Sequence, residues 1–68
     1  MSKEIPFIVL CIEEYKKHKG LTGKEVIEIF DKYCVCEYIK EFYEALHTTG
    51  VKYIINDIDL YIKARQTA

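Results

Sequence analysis

The chain has 68 residues, half of them hydrophobic, with six tyrosines and ten basic against eleven acidic side chains, for a formal net charge of −1. That apolar content excludes a disordered chain, and the interspersed charge, with Arg65 as the one arginine, leaves no basic stripe for a phosphate backbone. A chain this short makes one domain, buries only about 60% of the surface its unfolded form exposes, and has a marginal stability that a partner or a second copy would raise.

No run approaches the roughly 20 apolar residues of a membrane span. Lys3 followed by the apolar run 5–12 imitates a secretory signal, but Glu4 interrupts it at the start and the charged residues 13–16 replace a cleavage site. Cys11 follows Leu10, so it lacks the small neighbour of a lipoprotein site. The expectation is a cytoplasmic protein with reduced thiols and no membrane contact.

In chain order, the first helix is expected at about residues 3–19, with Ser2 as cap and Pro6 in the first turn, where its missing N–H costs little. Lys16, Lys17, His18 and Lys19 suit the negative end of the helix dipole, and Gly20 can take the left-handed closing position. Ile5, Ile8, Val9, Ile12 and Tyr15 form the expected inner stripe, while Phe7, Leu10 and Cys11 point elsewhere, so the helix starts apolar nearly all round. The second helix, 22–33, opens on a capping box of Thr22 and Glu25 with Leu21 and Val26 as its hydrophobic staple. Val26, Ile29, Phe30 and Tyr33 form its inner stripe, with Ile27 and Cys34 beside them.

The third helix, 36–48, is the expected centre. At about 100° per residue Val35, Tyr38, Ile39, Phe42 and Leu46 fall on one stripe, widened by Tyr43 and Ala45, and Glu37, Lys40, Glu41 and Glu44 lie opposite. Thr48, Thr49 and Gly50 close it. Residues 51–55, Val-Lys-Tyr-Ile-Ile, alternate and are β-branched, which predicts an extended connector. Asn56 then caps a last helix, 56–65, with Asp57 and Asp59 in its first turn, Lys63 and Arg65 in its last, and Leu60 off its inner face. The predicted fold is all-α: a small four-helix bundle over residues 1–68, with an extended connector before the last helix.

Cys34-Val35-Cys36 lacks the second ligand pair of a structural zinc site, even with Cys11, His18 and His47 counted. His18 lies in a lysine-rich helix end, His47 has no serine or acid at triad spacing, and Asp57 and Asp59 lack the glycine and distal glutamate of a calcium loop. No catalytic residue, metal or cofactor is expected. The second and third helices have helix-turn-helix lengths, which makes a small DNA-binding regulator the alternative, but three acids on the outer face of the third would repel phosphate. What remains is surplus apolar surface. Phe7, Leu10 and Leu60 lie off their inner stripes and Tyr43 and Tyr53 at the margins of theirs, so these five are the expected interface residues.

The segments FIVLCIEEYKK, LTGKEVIEIFDKY, EYIKEFYEALHTTG and YIINDIDLYI together resemble a small bacterial family known only as a domain of unknown function. The resemblance covers the chain from Phe7 to Ile62 and is most specific at Leu46-His47-Thr48, Gly50 and the run 55–59. It implies a gene neighbour similar to ADP-ribosyltransferases, and with it a toxin-antitoxin arrangement in which this chain neutralises or chaperones that neighbour. It also implies a glycine at the turn where this chain has Cys34-Val35-Cys36. The functional expectation is a non-enzymatic module that binds another protein, with a homodimer as the second way to cover the same residues.

Overall fold

The computed structural model describes residues 3–66, and among these it holds five helices and no strand. They are α1 (Glu4–Lys19), α2 (Gly23–Lys32), α3 (Val35–Glu41), α4 (Tyr43–Leu46) and α5 (Val51–Gln66). The expected cap Ser2 and the last two residues lie outside the described part. The all-α expectation holds. The four-helix count does not, since the third helix is divided and the connector is helical.

α3 packs against each of the other helices, and its Val35 and Ile39 are completely buried. Around them close Ile8, Cys11 and Tyr15 of α1, Val26 and Phe30 of α2, Leu46 of α4, and Ile54, Ile55, Ile58 and Ile62 of α5. Local chemistry sets the ends as the sequence indicates. The Glu25 N–H donates to Thr22 Oγ1 at 3.1 Å and the Thr22 N–H donates to Glu25 Oε1 at 2.9 Å, the reciprocal pair of a capping box. Gly20, at φ 66°, closes α1, and both its N–H and that of Leu21 reach the Lys16 carbonyl.

Five details depart from the sequence reading. The inner face of α1 is Ile8, Cys11 and Tyr15 rather than a stripe containing Ile5 and Val9, which are about half exposed. Tyr15 fixes that rotation by meeting Phe30 edge-on at 5.4 Å and donating to Asp59, and the small Cys11 side chain lets Ile54 and Ile55 of α5 come close. Phe42, expected inside, interrupts the third helix at φ −106°, ψ 21°. The break swings the next turn so that Tyr43 meets Phe7 and Leu46 is buried, and leaves the Phe42 ring at the surface.

Cys34, expected on the apolar face of α2, is exposed, because it stands in the left-handed region (φ 55°) that reverses the chain between α2 and α3. Ile27, expected beside that face, is also exposed. The largest departure is residues 51–55. They form the first turns of α5, with Asn56, the expected cap, inside the helix. Val51, Ile54, Ile55, Ile58 and Ile62 recur at the helical spacing, and burying the four isoleucines with Val51 packed against them outweighs the weak β preference of the segment.

Candidate interaction surface

Two tyrosine–aspartate bonds lock α5 in place. The Tyr15 hydroxyl donates to Asp59 Oδ1 at 2.7 Å, and Lys19 Nζ holds Oδ2 at 2.8 Å. The Tyr38 hydroxyl donates to Asp57 Oδ2 in the same way. The two acids expected to serve the dipole of a helix start therefore act as acceptors in mid-helix. Partial burial alone would raise the Asp59 carboxyl, but the bonds from Lys19 and Tyr15 and the charges of Lys19 and Lys63 outweigh it and hold the group below its usual value. Burial first, and the bond to Asp57 second, push the Tyr38 hydroxyl up to about 12, so it stays a donor at all ordinary pH.

A carboxyl whose folded pKa is depressed stabilises fully above its unfolded value, about 3.9, and the contribution disappears as pH falls through the folded value. Asp59→Asn is therefore expected to unfold at lower urea than the parent near neutral pH. The gap between the two midpoints should close as the pH is lowered from about 4 to about 2. A gap that stayed constant over that range would show that the Asp59 charge contributes nothing.

Between α3 and α5 a row of rings lies at the surface. Phe42 packs on Tyr38 at 5.0 Å between centroids, Tyr38 stacks on Tyr61 at 4.2 Å and 27°, and the Arg65 guanidinium covers Tyr61 at 4.3 Å. Phe42 is 46% exposed and the two tyrosines are half-buried. On the outer side of α5, Tyr53 and Leu60 are seven residues apart, two turns along one strip, and are 64% and 59% exposed. A hollow of about 210 Å³ opens beside the row between Phe42, Leu46, Thr49 and Tyr53, with Tyr38 and Asp57 in its wall.

The five residues expected at an interface do not form one patch. Tyr53 and Leu60 border the ring row. Leu10 is exposed on the flank of α1 nearest the start of α5, beside Val51 and Ile54. Phe7 and Tyr43 are half-buried and meet each other edge-on at 5.3 Å, with His47 stacked on the far side of Tyr43 at 4.5 Å. Phe42, Tyr38, Tyr61 and Arg65 are not among the interface residues expected from the sequence. The (i, i+4) pairs Tyr38/Phe42 and Tyr61/Arg65 are visible in the sequence. The contact that joins them, Tyr38 on Tyr61, is tertiary.

Burial, and to a lesser degree Cys36, push the buried Cys11 thiol up to about 11, and burial also raises half-buried Cys36. Each histidine donates its Nδ1–H to the carbonyl four residues back, His18 to Glu14 and His47 to Tyr43, both at 2.8 Å. Among the described residues no three His, Cys, Asp or Glu side chains are grouped so as to hold a metal ion. No helix among them is long and apolar enough to cross a membrane.

Comparison with curated proteins and with solved structures gives no match. Residues 6–65 match the model of the family described as "Protein of unknown function (DUF3791)", and the chain belongs to that family.

Proposed function

We propose that this chain is a non-enzymatic docking module that binds another protein through the α3/α5 face. The observation that carries the reading is the continuous row Phe42, Tyr38, Tyr61 and Arg65, flanked by exposed Tyr53 and Leu60. Tyrosine and arginine are among the side chains enriched at binding hot spots. Stacked on one another they are already ordered, so little rotamer entropy remains to be lost when a partner covers them. The partner implied by the family resemblance, a protein similar to ADP-ribosyltransferases, is the first to test, with this chain neutralising or chaperoning it in the cytoplasm.

The helix-turn-helix alternative gains no support from the exposed face of α3, where Glu37 and Glu41 flank Lys40. No duplex binding is expected even at low salt.

The test is co-purification of the tagged chain with that neighbour, followed by light scattering. A stoichiometric complex is expected. The double variant Tyr53→Ala, Leu60→Asp should keep its helical circular dichroism and bind about 30-fold more weakly, the loss of one hot spot. A complex indifferent to the double variant would overturn the assignment of the face. A chain that elutes alone as a dimer, and as a monomer when Leu60 is changed, would replace the foreign partner with a second copy.

A further inference from the structure

The opposite flank of α3 carries a different feature. Ile12, Ile27, Phe30 and Cys36 line a groove of about 200 Å³ between α1, α2 and α3, a volume that takes one large apolar side chain. The carboxylates of Asp31 and Glu37 stand in its rim, both exposed and neither in an ion pair among the described residues. Burial is the main cause of the raised Cys36 thiol in the groove wall; among the charges that reach it Lys40 lowers it, and Glu37 and Asp31, two carboxylates against that one cation, raise it. Ile5 and Val9, about half exposed, continue the apolar strip along the same side of α1 as Ile12 by their spacing of four and three residues.

We propose that this groove docks a basic amphipathic helix of a partner protein, with one apolar side chain between Ile12 and Ile27 and lysines or arginines facing Asp31 and Glu37. The charge of the rim selects a cationic segment over an acidic one. The segment is helical because, with no strand among the described residues, there is no sheet edge for an extended peptide to join, and a trough between helices takes an apolar helix face. The proposal rests on the chain being a docking module, but it uses a surface separate from the ring row.

The probe is a synthetic amphipathic peptide of about 18 leucines and lysines, long enough to be helical when bound, with a glutamate-for-lysine peptide as its counterpart. Cys34 supplies a native reporter, read in Cys36→Ser, since its exposed thiol lines the groove while Cys11 is buried. The lysine peptide should bind at micromolar concentration, lose affinity with added salt, and slow alkylation of Cys34 about tenfold, whereas the glutamate peptide should do none of these. The double variant Asp31→Asn, Glu37→Gln, folded by circular dichroism, should bind the lysine peptide about tenfold more weakly.

Equal binding of both peptides, unchanged Cys34 alkylation in the complex, or no binding of the lysine peptide up to about 1 mM would overturn the proposal. So would Cys34 alkylation that slows as the chain's own concentration rises, because a second copy would then occupy the groove. Leu60→Asp should bind the lysine peptide like the parent, so the groove and the ring row can fail independently.

Discussion

Ile39→Ala is expected to remove half or more of the stability of this chain. Ile39 sits on a helix that packs against each of the others and is completely buried, in one core with Val35, Ile58 and Phe30, which are equally enclosed. Cutting an isoleucine to alanine in such a place costs about 2–5 kcal/mol, at the upper end where rigid neighbours cannot collapse into the cavity. At about 0.05–0.15 kcal/mol per residue, a chain of this length has about 3–10 kcal/mol in total. The fully enclosed Val35, Phe30 and Ile58 in the same core place Ile39 at that upper end, so the urea midpoint should fall by half or more, and a fraction of the variant should be unfolded without denaturant. Ile5→Ala is the informative control. The periodicity of α1 allows Ile5 in the core, whereas the structure leaves it 49% exposed, so its substitution should cost under about 1 kcal/mol. Equal losses at the two positions would mean that α1 is rotated to the face that includes Ile5.

That contrast marks what is legible in the sequence. Caps and breaks are written locally: the Thr22–Glu25 box and Gly20 needed only their own neighbours, and both stand where they were expected. The wide apolar face of residues 35–46 announced a central helix, and α3 is central. The side of α1 that turns inward is not local. It is chosen by Tyr15 finding Asp59 across a gap of 44 residues, and by Cys11 being small enough for α5 to approach. The surface rows fail for the same reason, since a ring at the edge of a stripe is buried or exposed according to which helix ends beside it. Cys34 is the instructive middle case. The family resemblance implied a glycine at this turn, and the backbone there does take the left-handed conformation that glycine favours, held here by a cysteine. A turn signal existed, but not in the residue itself.

Substitutions at Asn56 would separate the two conformations available to residues 51–55, and their signs differ. In the structure Asn56 is the sixth residue of α5, exposed, with Ile54, Ile55 and Ile58 buried around it. Proline at such a position removes an intrahelical hydrogen bond and drives its ring against the carbonyl four residues earlier, at a cost of about 3 kcal/mol or more. Because the displaced turn carries Ile54 and Ile55, the loss extends to the core, and Asn56→Pro should unfold most of the chain. Asn56→Ala should do the reverse. Alanine is the better helix former by about half a kcal/mol and nothing is lost from the exposed amide, so the midpoint should rise slightly. Had residues 51–55 been an extended connector ending at an Asn56 cap, loss of the capping oxygen would cost about 1 kcal/mol, while proline at the helix boundary would be tolerated. Urea midpoints of the two variants and the parent, followed by circular dichroism, decide between them. A stabilised alanine variant with a collapsed proline variant places the first turn of α5 at Val51. The opposite pair of signs would return the segment to an extended strand-like path and with it release Tyr53 from the strip it shares with Leu60.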